Sequence, residues 1–257
     1  ASLPSVLTQA GVEEADLLVA VTSSDEVNLL ACQIAAQQNK APTRVARLRE
    51  QEYLQLAHQK FAGKSAVTAA ISPEQLVCKH VERLISTPGA LQVLDFAEGR
   101  AQLVAVRAVY GGALVGHEIR ELRRHLPQGM DVRVAAIFRG GQAVKPEGIT
   151  IIEVGDEVFF LAHQSAIKAM MNELRLADKR LTKRIFISGG GGIGRRLAKT
   201  LESRYSVKVL ERSRDRARAI AEDLLNTIVL VGDCADEDLL REENIDQTDV
   251  YCALTND

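Results

Sequence analysis

The run Arg184-Ile185-Phe186-Ile187-Ser188-Gly189-Gly190-Gly191-Gly192-Ile193-Gly194 decides how this 257-residue chain is read. Its first five residues form a short apolar, β-branched run of the kind buried in a parallel sheet. Ile193, Leu197, Ala198 and Leu201 then recur at helical spacing. Gly189, Gly191 and Gly194 therefore satisfy G-x-G-x-x-G between a predicted strand and a predicted helix. In that setting the first glycine permits a tight turn. The second lets a pyrophosphate approach the main chain, and the third lets helix and strand pack closely. Amides at the helix start, together with the helix dipole, attract the phosphates. A glycine-rich hairpin or linker is the alternative, and the strand-to-helix placement favours nucleotide binding over it.

Working toward the C-terminus, strands keep alternating with helices. Val207–Glu211 reads as a second strand, and a helix follows through Ala217, Ile220, Ala221, Leu224 and Leu225. Thr227–Val231 is a third strand ending at Gly232-Asp233, a short helix surrounds Leu239-Leu240, and Val250–Thr255 is a fourth strand. The alternation implies a parallel sheet with right-handed crossovers, the doubly wound, Rossmann-like α/β class. Glu211 ends the second strand 17 residues beyond Gly194. A carboxylate there accepts hydrogen bonds from adenosine ribose hydroxyls and disfavours a 2′-phosphate, which points to NAD or an adenine nucleotide rather than NADP. Arg212 is near enough in sequence to join it, whereas Arg214, Arg216 and Arg218 read as a solvated helix face beside Asp215 and Glu222. Asp233 falls where an adenine edge would lie. Thr255 and Asn256 end the fourth strand above the crevice, with helix capping as their alternative role.

The N-terminal part repeats this texture. Leu17–Thr22 is a strand, a helix runs through Asn28, Leu29, Ala31 and Ala35, and Arg44–Arg49 is a second strand. Glu52–Phe61 reads as a helix and Ala66–Ile71 as a short strand. At an offset of 233 residues Leu7 falls on Leu240, Asp16 on Asp249, Ala20 on Ala253 and Thr22 on Thr255, with Val12 on Ile245 and Glu13 on Asp246. Such co-registration indicates an internal repeat, so the chain is expected to begin late in one nucleotide-binding lobe and to end early in a second. Thr22, Ser23 and Arg47 would stand at the first lobe's crevice, Arg47 as a phosphate ligand or a surface arginine.

Between the lobes Ser72-Pro73-Glu74-Gln75 opens a helix, with Ser72 as its cap and Gln75 as capping-box partner. Pro88-Gly89 stops it. Leu91–Phe96 and Ala101–Ala108 read as a hairpin about Glu98-Gly99, followed by a polar helix near His117–His125. Strands at Arg133–Phe138, Ile149–Glu153 and Glu157–Leu161, a helix over Ser165–Leu176 and a charged linker over Asp178–Lys183 complete this part. The expected domains are 1–87, the later part of the first lobe and its linking helix; 88–177, a small α+β unit; and 183–257, the early part of the second lobe.

Composition removes several functions. Lys and Arg number 32 against 34 Asp and Glu, a net charge of −2, so a mainly electrostatic grip on nucleic acid or anionic lipid is excluded. Aromatics are 4% with no Trp, which disfavours stacking platforms for single strands. Cys32, Cys78, Cys234 and Cys252 form no C-x-x-C pair and read as reduced buried thiols, with no metal site. No apolar run approaches the ~20 residues of a spanning helix, and no charged-then-apolar leader opens the sequence, so a cytoplasmic protein is expected. His58, His80, His117, His125 and His163 are scattered without an evident carboxylate orienter. Neither Y-x-x-x-K nor G-x-x-x-x-G-K-[ST] occurs. Nucleotide binding without a reaction centre suggests a sensor; an NAD-dependent oxidoreductase and a purely structural oligomerisation module stay open as alternatives.

On these residues the chain resembles the RCK (KTN) nucleotide-binding family, the regulatory subunits of bacterial Trk-type potassium uptake. The carriers are Ile187–Gly194, Val209-Leu210-Glu211-Arg212, Gly232-Asp233 and the repeated strand at Leu18–Thr22. Pro88-Gly89-Ala90-Leu91-Gln92-Val93 and Gly155-Asp156-Glu157-Val158-Phe159-Phe160 resemble the family's small C-subdomain. The resemblance implies Rossmann-like lobes, each followed by such a subdomain, in a homo-oligomeric ring on an integral-membrane potassium channel or transporter subunit of the Trk type. It implies a peripheral, non-enzymatic subunit on the inner membrane face that binds NAD+ or NADH, or ATP or ADP. Carried over, Gly189, Gly190, Gly191, Gly192 and Ile193 cradle the pyrophosphate and Glu211 holds the ribose. Thr255 and Asn256 face the cofactor in the second lobe; Thr22, Ser23 and Arg47 do so in the first. The sequence departs from the family in lacking a glycine loop in the first lobe and in Gly192, where a polar residue is common. The second lobe's final strands and C-subdomain are also absent.

Overall fold

The computed structural model describes residues 2–38, 43–57, 60–61, 64–97, 99–127, 129–175 and 184–255, and the chain divides into two compact units, Ala1–Cys78 and Lys79–Asp257. The linker expected over Asp178–Lys183 and Asn256 lie outside the described residues.

In the first unit α1 (Pro4–Gln9) precedes β1 (Leu17–Ala20), α2 (Asp25–Gln38), β2 (Thr43–Arg47) and α3 (Gln51–Ala57). Two short strands, β3 (Lys60–Phe61) and β4 (Lys64–Ser65), lead to β5 (Ala69–Ile71) and α4 (Pro73–Ser86). β1, β2 and β5 form a parallel sheet in that order. Ala31, Cys32 and Ala35 present a small-residue face that lets α2 lie close on the strands; Cys32, Ala35, Ala46 and Leu48 are fully buried. Burial pushes the Cys32 thiol up to about 11, so it is a packing group.

The helix expected to reach Phe61 covers Gln51–Ala57 among the described residues, and Lys60–Phe61 instead pairs antiparallel with Lys64–Ser65. Gly63, a poor helix former with turn propensity, lies between the pairs in sequence. Ala66 and Val67 are buried, but the strand starts only at Ala69. At the head of α4 the Gln75 amide donates to Ser72 Oγ at 3.3 Å, as the capping pattern implies.

The second unit holds two sheets. The first comprises β6 (Ala90–Phe96), β7 (Ala101–Arg107), β8 (Val132–Arg139), β9 (Gln142–Val144) and β10 (Glu157–Ala162), antiparallel in the order β6-β7-β10-β8-β9. Val104, Val106, Ile137, Val158 and Phe160 alternate into its core and meet Met170 and Leu174 of α6 (Gln164–Leu174). The polar helix expected at His117–His125 is a 3-10 turn, Ile119–Glu121, followed by the one-turn α5 (Leu122–His125). Ile149–Glu153 is not a strand: only isolated bridges, Val115 to Ile152 and Glu118 to Ile151, form there. An ion pair with a buried carboxylate claims this segment. Asp156, fully buried, accepts from Arg139 Nε at 2.8 Å and Nη2 at 2.9 Å and from the Glu153 amide at 2.9 Å; Arg139 also donates to the Ile151 carbonyl. Burial alone would raise the Asp156 carboxyl, yet these donors hold it below the ordinary range.

The second sheet is built from β11 (Arg184–Ser188), β12 (Ser206–Glu211), β13 (Ile228–Val231) and β14 (Val250–Ala253), all parallel, in the order β13-β12-β11-β14. Helices α7 (Gly192–Leu201), α8 (Arg214–Asp223) and α9 (Glu237–Glu242) connect them. This is the 3-2-1-4 arrangement of a mononucleotide-binding half, with its switch point between β11 and β14. Ile187, Val209, Leu197, Ala198 and Leu201 are fully buried between sheet and α7. The internal repeat holds at the level of elements: shifting α1 and β1 by 233 residues reproduces the bounds of α9 and β14. The fold is therefore α/β with Rossmann-like parallel sheets, as the sequence implied.

Candidate functional site: the glycine loop at the end of β11

β11 delivers Ser188 to the carboxyl edge of its sheet, and the chain turns at once into α7. Gly189 has φ +103°, and a Cβ on it would lie 2.7 Å from the Leu254 carbonyl oxygen. A Cβ on Gly194 would lie 1.9 Å from the Gly189 carbonyl oxygen. These two glycines are required by the fold. Gly191 is not. It is the N-cap of α7 with φ −64° and ψ −173°, a conformation open to any residue, and nothing stands within 4 Å of where its Cβ would be. Gly191 has no side chain with which to cap α7, and the first turn carries no acidic residue. The result is a helix N-terminus whose N-cap position has open space where a side chain would stand, a geometry suited to phosphate. Beside it, the Ser188 hydroxyl is buried, 1% exposed, with no hydrogen-bond partner among the described residues. An orphaned buried hydroxyl and an open cradle fit a diphosphate-bearing ligand.

Glu211 ends β12 at 4% exposure. Its Oε2 accepts from the Gly190 amide at 3.1 Å, and its Oε1 from the Ser213 amide at 2.8 Å and from Arg216 Nη2 at 2.9 Å and Nε at 3.2 Å. Burial works to raise this carboxyl; the Ser213 amide, Arg216 and the Gly190 amide outweigh it and hold it low, so it is an anion at neutral pH. Arg216 is thus not part of a purely solvated face, as its neighbours suggested: the first turn of α8, capped by Ser213, aims it back at Glu211. Arg212 turns outward, 3.7 Å from Asp233. Asp233 accepts from the Ala235 amide at 3.0 Å and shapes the turn after β13. Thr255 lies two residues past the end of β14, and the Leu254–Thr255 backbone packs against Gly189. Gly192 and Ile193 begin α7.

The first-unit residues are placed differently. Thr22 Oγ1 donates to Asn28 Oδ1 at 2.7 Å, and the Thr22 amide donates to the same oxygen at 2.8 Å. Asn28 Nδ2 donates to the carbonyls of Thr22 and Arg47, and Arg47 Nη2 donates to the Thr22 carbonyl at 3.0 Å. Arg47 is therefore neither a free surface arginine nor directed only to a ligand; it ties the tips of β1 and β2. Ser24, rather than Ser23, receives the Val27 amide of α2, and Ser23 is exposed. Asp25, buried, accepts from the Arg49 and Glu50 amides at 2.7 and 2.9 Å. Sequence reasoning missed Asn28 and Asp25, which look like ordinary helix residues until their long-range partners are known. Arg216 carried a signal, being three residues after the Ser213 cap and five after Glu211.

Of the histidines, His125 does have a carboxylate partner, Glu173, at 2.8 Å, which ties α5 to α6. His163 caps α6, and His58 lies outside the described residues. Among the described residues no group of three metal-ligating side chains forms, and no helix is long and apolar enough to cross a membrane.

Family models match the TrkA-N domain at residues 1–73 and 185–257, more than half of the chain, and the TrkA-C domain at residues 103–175. The chain belongs to the TrkA-N family. Within it, the chain is 53% identical to the "Trk system potassium uptake protein TrkA" of Vibrio alginolyticus over its whole length, and 49% identical to that of Halomonas elongata. It spans 56% of the length of each of these relatives. The fold is shared with a structure described as "Crystal Structure of the GsuK RCK domain", at TM-score 0.64 and 20% identity over all of this chain and 52% of that one. It is shared too with "GsuK channel bound to NAD", at TM-score 0.65 and 18% identity over all of this chain and 44% of that one. The two TrkA-N segments bracket the TrkA-C segment, and the 233-residue repeat is a repeat of that family's domain.

Proposed function

We propose that this chain is part of a cytoplasmic regulatory subunit of a Trk-type potassium-uptake system, and that it senses NAD+ or NADH, or an adenine nucleotide, at the β11–α7 loop. The observation that carries this reading is Gly191: a glycine in an unstrained conformation at the N-cap of α7, with no atom of the described residues within 4 Å of where its Cβ would lie. Nothing in the fold calls for glycine there, whereas a pyrophosphate does. The names of the TrkA relatives and the NAD-bound GsuK channel support the assignment of ligand and partner.

Gly190, Gly191, Gly192 and Ile193 would line the diphosphate, with Gly194 keeping α7 close enough for its dipole to act. Glu211 would receive the ribose and Asp233 would stand near the base. Thr255, with Asn256 beyond it, would close the switch point. Thr22 and Arg47, with Ser23 exposed beside them, would serve the first lobe, where Thr22 and Arg47 order the strand tips rather than offering a glycine cradle. Bound dinucleotide supplies no reaction here; its occupancy is the signal. A ligand shifts a conformational balance only by its differential affinity for the two states, and tenfold corresponds to roughly 1.4 kcal/mol. The subunit would be a peripheral homo-oligomer beneath an integral-membrane potassium channel subunit. Gly191→Asp in the full-length protein tests the reading: folding and melting temperature persist, NADH binding is lost, and potassium uptake ceases to respond to nucleotide. Unchanged dinucleotide affinity in that variant refutes it.

A further inference from the structure

The carboxylate that would meet the ribose does not act alone. A carboxylate has about four acceptor positions. Glu211 Oε1 already takes the Ser213 amide and two guanidinium N–H groups, while Oε2 takes only the Gly190 amide. While Arg216 stays in place, Glu211 offers an acceptor position on Oε2 only, enough for one ribose hydroxyl rather than two. The same contacts alter the electrostatics. The Glu211 side chain is 5% exposed and that of Arg216 is 66% exposed, so the cation of the pair, not the anion, is what meets solvent at this corner. Arg212, 80% exposed, flanks it, with Asp233 3.7 Å away as a loose, water-screened partner. Arg214 and Asp215, both exposed in the first turn of α8, offset each other.

We propose that Arg216 sets the site's response to the 2′ position of the adenosine ribose, and that with it in place the loop accepts a 2′-phosphorylated dinucleotide as well as the unphosphorylated one. The proposal rests on the nucleotide reading above. A glutamate at the end of the second strand ordinarily rejects a 2′-phosphate, and a neighbouring arginine ordinarily admits it. Here both are present and in contact. The guanidinium's planar fork matches phosphate oxygens in a way a lysine does not. The anchoring is local: Arg216 leaves α8 at the turn capped by Ser213, so its reach is fixed by the helix start.

Calorimetric titration of the full-length protein with NADH and with NADPH tests this, using wild type, Arg216→Gln and Arg216→Lys, with thermal melts to confirm folding. The expected result is that wild type binds both and that Arg216→Gln lowers the NADPH-to-NADH affinity ratio by about tenfold, the loss of one charged hydrogen bond. Arg216→Lys retains more of the ratio than Arg216→Gln. A ratio unchanged in Arg216→Gln, or NADPH failing to bind wild type while NADH binds, overturns the role of Arg216 and leaves the nucleotide reading intact. Failure of wild type to bind either dinucleotide removes the dinucleotide reading, and this proposal with it.

Discussion

At the carboxyl ends of β1 and β2 the chain cross-links its own strand tips: Asn28, fully buried, bonds Thr22 and the Arg47 carbonyl, and Asp25 holds the two amides that follow Leu48, while Arg47 Nε is buried without a partner among the described residues. At the carboxyl ends of β11 and β12 the inward carboxylate, Glu211, is also satisfied, but among the described residues nothing lies within 4 Å of where a Gly191 Cβ would stand and the Ser188 hydroxyl has no partner. Both crevices sit on parallel strands with a helix start beside them. The difference is side-chain supply. Where Asp25 and Asn28 cross-link the first, glycines offer the second no side chains. A parallel sheet of this kind offers a binding position at the ends of its strands, and local sequence decides whether the protein or a ligand takes it.

Substitutions can break this contrast, and the largest effect is expected inside the glycine loop. Gly194→Val places methyls into the Gly189 carbonyl and should destabilise the second unit by about 3 kcal/mol or more, read by denaturant unfolding. Gly191→Asp, with the same loss of glycine, should leave the melting temperature within error and weaken NADH by at least about a hundredfold, because a carboxylate at the helix N-terminus takes the phosphate's place. If both variants merely unfold, the loop is structural throughout. In the first unit Asn28→Ala should cost roughly 2 kcal/mol, since it strands several buried polar groups, while NADH affinity at the second unit stays unchanged. A large loss of affinity there would mean that the first crevice is the ligand site.

The smallest expected effect concerns α7 and α8. Arg195 Nε at 2.9 Å and Lys199 Nζ at 2.7 Å donate to Asp223, holding its carboxyl at about 2 against an ordinary 3.8. A carboxyl lowered on folding contributes stability that is complete above 3.8 and is lost as pH falls toward 2. The Arg195→Gln, Lys199→Gln double variant should therefore melt slightly below wild type at pH 7, with the gap closing as pH falls through that window. Because both donors are largely exposed, the gap is small. A gap that grows toward pH 2 would contradict this pairing.

Much of this was legible in the residues. The β-branched run at Arg184–Ser188 and the helical spacing after it fixed a strand, a glycine turn and a helix, because backbone conformation and apolar period are local properties. The repeat of Pro4–Ala20 at Glu237–Ala253 was legible for the same reason, since matched positions fold into matched elements. Ile149–Glu153 misled because its apolar content suits a strand, while its fate was decided by Arg139 and Asp156, which lie outside it. Glu52–Phe61 misled at its end, where the β3–β4 pairing won over helical propensity.

Sequence alone determined the fold class and the position of the glycine loop, since these rest on periodicities and spacings that a linear chain displays, and the resemblance of its motifs pointed to the family. Only the tertiary structure decided that Gly191 faces open space while Gly189 and Gly194 do not, that Arg216 rather than Arg212 reaches Glu211, and that the first crevice is cross-linked by Asn28 and Asp25. Those facts depend on contacts between residues as many as 65 positions apart, Gly189 and Leu254, and in a folded chain it is the packing of separate elements that brings such groups together.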